Sequence, residues 1–287
     1  MPQTINTNLV SLNAQRNLSS SQSALATSMQ RLSSGMRVNS AKDDAAGLSI
    51  AERMNTQVRG MNVAVRNAND AISMAQTAEG ALGKVGEIFQ RMRELAVQSS
   101  NGTNSSTDRA SLNDEFVQLA QEATRTLGGT QFNGQSILAT TTSATFQIGA
   151  NNTTAIDQIT VAAFNWAGNA GITGVLGTSI LTGTAAPTQQ ITDATTAMAA
   201  LGTLDTAINS INSQRGNFGS VQNRFENVVS TLMVATENQS AARSRIMDAD
   251  YAAETSNLSR ASILQQAGNA MVAQANQLPQ QVLSLLR

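Results

Sequence analysis

Any chemistry in this chain would have to come from carboxylates, because it contains no Cys and no His. Without thiols there can be no disulfide, thiol nucleophile or thiolate metal site, and without imidazole the usual general base and commonest transition-metal ligand are missing. Two acidic pairs stand close in sequence, Asp43–Asp44 and Asp248–Asp250. Each reads more simply as negative charge at a helix start or on a solvated face. The glycine-bearing segments match no phosphate-cradling spacing. The residues therefore point to no enzyme, with no catalytic, metal or cofactor site. The Ser and Thr residues of the middle of the chain are candidates for O-linked sugars, although plain loop chemistry also explains them.

Composition narrows the class further. The 287 residues carry a net charge of −1, and 41% are hydrophobic but only 3% aromatic. A core so poor in rings is built from thin aliphatic seams between helices. Acidic and basic groups nearly cancel, and Lys occurs only at Lys42 and Lys84, so no basic stripe for nucleic acid is present. No apolar run approaches the ~20 residues that span a bilayer, so membrane insertion is not expected. The start, MPQTINTNLVSL, lacks the basic end and apolar block of a cleaved signal peptide. On residues alone the chain would be placed in the cytoplasm.

The elements follow from apolar spacing. From Ile5 to Met36 the larger apolar residues are Leu18, Leu25, Met29, Leu32 and Met36, one heptad seam on a weakly charged helix. Such a helix is marginal in water and is expected to stay disordered until another surface covers it. Gly35 interrupts it. Ser40 and Asp43 stand at capping-box spacing, and Asp43 and Asp44 charge a new first turn. A helix from about 43 to 98 follows, roughly 80 Å long. Its seam runs through Met54, Val58, Met61, Val65, Ala68, Ile72, Ala75, Ala78, Leu82, Val85, Phe89, Met92 and Ala96, with a stammer at Ala75–Ala78. A second capping box at Ser105 and Asp108 opens a helix carrying Leu112, Phe116, Leu119, Ala123 and Leu127, which should fold back on the first.

Residues 130–190 turn rich in Thr, Gly and Asn, with strand-like pieces at Thr145–Ile148, Ile156–Val161 and Gly174–Leu181 and a tight turn at Asn133-Gly134. A small β-hairpin-bearing lobe, ended by Pro187, is expected. Helix returns near Thr192, through Leu201, Leu204, Ile208, Ile211, Phe218, Val221, Phe225 and Val228. The last stretch is rich in Ala, Gln and Leu, with Leu258, Leu264, Met271 and Leu278, and then Val282, Leu285 and Leu286 on one face. The fold class expected is mainly α: a long antiparallel coiled coil or helix bundle built from both chain ends around a small β-bearing middle. Two under-charged, apolar-striped ends can satisfy each other by pairing. Repeated over many copies, they would build a tube.

Two stretches carry a family resemblance. RLSSGMRVNSAKDDAAGLSIAERM at 31–54 resembles the N-terminal signature of bacterial flagellins, and AARSRIMDADYAAETSNLSRASILQQAGNAMVAQANQLPQQVLSLLR at 241–287 is similar to their C-terminus. The likeness covers roughly 1–140 and 190–287 and fails over about 140–188, so the variable middle is short. It implies an extracellular filament of many copies, used for swimming. It further implies an inner tube from 1–42 plus 240–287, a helical bundle from 43–139 plus 190–239, and an outward-facing, partly β region over 140–189. Subunit contacts are implied at Leu18, Leu25, Met29, Arg31, Leu32, Lys42, Asp43, Asp44, Leu264, Met271, Leu278, Val282, Leu285 and Leu286. The implied partners are the flagellar cap and hook-associated proteins, a flagellin export chaperone and the flagellar type III apparatus, and export without a cleaved signal replaces the cytoplasmic placement. The segment Gln90–Gln98 resembles the part of flagellins that a vertebrate Toll-like receptor contacts, through Gln90, Arg91, Leu95 and Glu115. The related hook–filament junction proteins are the alternative, against which DADYAAE and the terminal VLSLLR argue. A protease-bearing flagellin would need a His pair that this chain lacks.

Overall fold

The computed structural model describes residues 7–177 and 188–285, with side chains as far as 277 in the last helix. It divides into two compact units, Met1–Thr56 with Glu237–Arg287, and Gln57–Thr236. The class is the one expected, long helices with short antiparallel strand pairs between them.

In the unit made of both chain ends, helix α1 spans Leu9–Ser34. The Asn8 side chain accepts from the Ser11 N–H and so satisfies one of the free donors at the helix start. Gly35 ends the helix in the left-handed region, at φ 71°, where a side chain would be strained. The chain then meets residues 246–249, with an isolated antiparallel bridge between Met36 and Asp248. Arg37 N–H donates to Met247 O at 2.6 Å, Ala249 N–H donates to Gly35 O at 2.9 Å, and the Arg37 guanidinium reaches Ile246 O. Val38, Ala51 and Met247 are buried beneath these bonds.

Helix α2 covers Ala45–Ser99. Its cap differs from the one read off the spacing: Asp44, not Ser40, holds the helix start, its Oδ1 accepting from Gly47 N–H at 2.8 Å. Asp43 is drawn away because its Oδ2 accepts from Asn39 N–H, Ser40 N–H and the Ser40 hydroxyl, closing the 39–43 turn one step earlier. Gly47 leaves room for this cap, since a Cβ there would lie 2.3 Å from Asp44 Oδ2.

In the other unit the predicted seam becomes the core. Ala68, Ala75, Ala78, Leu82, Val85, Phe89, Met92 and Ala96 of α2 are fully buried. Helix α3, Ser106–Gly129, begins with the expected capping box, both bonds between Ser105 and Asp108 being present. It contributes Phe116, Ala120, Ala123 and Leu127 to the same core. Arg91–Glu115 and Arg109–Ser99 contacts fix α3 antiparallel to α2. The two-residue strands β1, Gln131–Phe132, and β2, Gln135–Ser136, flank Asn133 and Gly134, both at positive φ, the turn predicted from that dipeptide. Strands β3, Ala144–Gln147, and β4, Gln158–Val161, pair antiparallel with Gln147 opposite Gln158.

A one-turn helix α4, Thr154–Asp157, precedes β4, and a 3-10 turn occupies Trp166–Gly168. Helix α5 spans Ala170–Leu176. The strand expected over Gly174–Leu181 is therefore corrected as far as Gly177, which ends α5; residues 178–181, and Pro187, lie outside the described residues. Asn169 is the reason. Its side chain accepts from Gly171 and Ile172 N–H, starting a helix that buries Ile172, Val175 and Leu176 at helical spacing. Far from facing outward throughout, the middle segment packs Leu138, Ile159, Val161, Trp166 and Leu176 into the unit's core.

Helix α6, Ala194–Met247, runs unbroken through the glycines at 216 and 219. Leu204, Ile211, Phe218 and Phe225 join the core of this unit, Phe225 edge-on to Phe146 of β3, with Arg93–Asp205 and Arg215–Glu79 pairs between α6 and α2. Helix α7, Tyr251–Leu285, closes the chain.

Candidate functional site

The feature with most to offer a partner lies on the paired ends of the chain. α1 and α7 run antiparallel: the Asn8 amide donates to Ala275 O, Ser11 Oγ to Asn276, and the Tyr251 hydroxyl to Leu32 O at the other end. Small residues line the contact. Ser11, Ser28, Ala261 and Ala275 are buried, and Gly268 lets Leu18 approach, since a Cβ there would lie 3.1 Å from Leu18 Cδ1. Glu254 is 7% exposed and Arg31 Nη1 stands 3.8 Å from it, so a charge pair sits within this contact.

A contact built from small residues buries little apolar area, and the large side chains are left outside. Leu9, Val10, Leu12, Met29, Ile263, Leu264 and Met271 are all more than half exposed, Met29 and Met271 at 57% and Leu264 at 52%. A free surface of that kind marks an interaction face. Of the residues expected to make subunit contacts, Leu18, Leu25 and Leu32 are half-buried against α7's side of the pair, whereas Met29, Leu264 and Met271 point outward. The side chains of Leu278, Val282 and Leu285, and all of Leu286, lie outside the described residues. Leu9, Val10, Leu12 and Ile263 were missed because they fall off the heptad count; asking which apolar residues the seam fails to use would have found them.

The acidic residues between α1 and α2 are engaged within the chain. Asp43 and Asp44 accept the backbone bonds described above, while Lys42 is exposed. The Asn39 N–H, then the Ser40 hydroxyl and N–H, hold the Asp43 carboxyl below the usual carboxylate range. In the second unit Arg91 donates to Glu94 at 2.9 Å and, through Nε and Nη2, to Glu115 at 3.0 and 2.9 Å. Glu94 first, then Glu115, stabilise its charged form. Gln90, Arg91 and Glu115 are exposed, but Leu95 is 1% exposed and belongs to the core beneath them. Among the described residues no group of three or more acidic, His or Cys side chains could hold a metal, and no helix is long and apolar enough to cross a membrane.

A pair of long helical chain ends that leave large apolar side chains exposed, together with a helical unit without a metal cluster among the described residues, fits the class of helical structural proteins. The chain matches the bacterial flagellin N-terminal helical region over residues 5–143 and the bacterial flagellin C-terminal helical region over 201–286. It is similar to a flagellin of Halalkalibacterium halodurans, 46% identical over 284 residues covering 99% of both chains. It is also 42% identical over 310 residues to a flagellin of Bacillus subtilis, and 43% identical over 296 residues to the flagellar filament 33 kDa core protein of Treponema phagedenis, with 99% of each chain covered in both cases. The chain belongs to the bacterial flagellin family. It is a structural subunit of an extracellular flagellar filament and not an enzyme.

Proposed function

We propose that the paired chain ends form the inner tube of the filament, and that α1 and α7 become stably ordered only when copies cover their apolar faces. The carrying observation is the exposed set on these two helices, Leu9, Val10, Leu12, Met29, Ile263, Leu264 and Met271, set against a contact lined by Ser, Ala and Gly. The other unit, with its continuous core, is the part that folds beforehand, and the exposed side of the middle segment faces outward from the filament. A weakly buried end also suits passage, unfolded, through the type III apparatus with its chaperone bound near Leu285 and Leu286. The growing filament would meet the hook-associated and cap proteins at its ends.

Substituting Met29→Asp or Leu264→Asp tests this reading. Both residues are exposed in the single chain, so the chain folds as before, but in the tube each would bury an unpaired charge at a cost of several kcal/mol. Electron microscopy after seeding is expected to show no filaments from either variant; normal filaments from both would refute the tube assignment. The surface of Gln90, Arg91 and Glu115 would in addition serve a Toll-like receptor on the free subunit. Reporter cells should lose signal with Arg91→Ala.

A further inference from the structure

Ile156 is the most exposed large apolar side chain among the described residues, at 75%. It does not lie on a slack loop. α4 is anchored on both sides of it: Asp157, 7% exposed, accepts from Thr153 N–H at 3.0 Å, and its own carbonyl accepts from Ile148 N–H at 2.7 Å. The adjoining loop is held to α2, with Ala150 against Gly60, where a Cβ would come within 2.7 Å, and Gln147 O accepting from the Asn67 amide. An isoleucine this exposed and this firmly held is a knob.

A recess of about 400 Å³ opens at the other end of the same hairpin. Met74, Ile137, Val161 and Phe218 form its walls, and Thr142 and Ser143 stand among its lining residues. The strand register puts Gln147 and Gln158 beside the knob and Ala144 and Val161 beside the recess. Along α2, Gly60 marks the level of the knob and Met74–Ala78 that of the recess, a separation of about 25 Å at the helical rise.

We infer that Ile156 of one copy seats in the recess of a second copy, at the base of its β3–β4 hairpin, as a contact between staggered filament subunits. Knob and recess are different patches of one surface, so the contact is heterologous and repeats without closing, as an open polymer requires. No charged side chain is among the residues that line the recess, and on the knob's side the only charged residue from 126 to 192 is Asp157, which is buried. One isoleucine buries far less than the roughly 1,200 Å² of a stable pair, so the contact holds no dimer by itself and counts only when added to the contacts of the chain ends.

This inference rests on the chain being a filament subunit, and the test separates the two. The chain has no Cys, so every disulfide formed is an engineered one. Tagged Ile156→Cys copies are mixed with untagged Thr142→Cys copies, polymerised on seeds and oxidised with copper phenanthroline. A tagged–untagged dimer from the polymer, absent from the unpolymerised mixture and from a mixture with Ser111→Cys copies, is expected. Filaments without that dimer overturn the knob-and-recess contact and leave the filament reading standing; failure of the native chain to polymerise overturns both. In parallel, Ile156→Ser should raise the concentration needed for elongation about tenfold, and Ile156→Val by a smaller factor, about threefold. Equal concentrations for Ile156→Ser and the native chain count against the contact.

Discussion

Trp166, the only tryptophan, decides whether the middle of the chain is an appendage or part of the folded unit. It is fully buried in the core shared with α2, α3 and α6. A tryptophan buries roughly 200 Å², worth about 5 kcal/mol as an upper figure at ~25 cal/mol per Å². Its Nε1 is buried without a hydrogen-bond partner among the described residues, which sets about 1–3 kcal/mol against that gain. Trp166→Ala is therefore expected to cost about 3 kcal/mol, toward the lower end for such truncations. Trp166→Phe loses some packing but also removes the unpaired donor, and should cost less than about 1 kcal/mol. Urea denaturation followed by far-UV circular dichroism measures both. A loss below about 1 kcal/mol for Trp166→Ala, or a larger loss for Phe than for Ala, would refute the claim that residues 138–176 complete this core.

The anchoring of the hairpin tip predicts a glycine effect. A Cβ at Gly149 would lie within bonding distance of the Asp157 carboxylate, so Gly149→Ala must expel that side chain and free the Thr153 N–H. A loss of about 1–3 kcal/mol is expected, with faster hydrogen exchange at Ile148 and Asp157; unchanged exchange there would show the anchor to be idle. The carboxylates that close the 39–43 turn and cap α3 predict an acid effect. Asp43 is held below the usual carboxylate range by the Asn39 N–H and the Ser40 donors, and Asp108 by the Ser105 hydroxyl and N–H. A lowered folded pKa means stability that is present above the unfolded pKa and lost as pH falls through the folded one. Melting temperature should thus drop as pH falls below the ordinary carboxylate range, and Asp43→Asn with Asp108→Asn should flatten that drop; an equally steep drop in the double variant would rule these two carboxylates out.

How far the fold could be read depended on whether a signal was local. The heptad seam from Ala68 to Ala96 became the core because a continuous helix preserves its own spacing, and Ser105–Asp108 formed its box because both partners lie within one turn. The first cap moved from Ser40 to Asp44 because two adjacent aspartates competed for neighbouring N–H groups, a contest that spacing cannot decide. Gly174–Leu176 looked strand-like from its β-branched content; the Asn169 side chain, capping from outside the apolar run, made it helix. The burial of Trp166 depended on contacts with α2 and α6, distant in sequence and invisible to any window. Of the apolar residues on the paired ends, Leu18, Leu25 and Met29 fell on the count, while the exposed Leu9, Leu12 and Ile263 did not.

Coupling of order to assembly is the claim on which the rest depends, and hydrogen exchange with mass readout tests it directly on two samples of the same protein. In the free subunit, amides of 9–34 and 251–285 should exchange rapidly while those of 68–96 stay protected; in the filament all three should be protected. Equal protection of 9–34 in both states would contradict it.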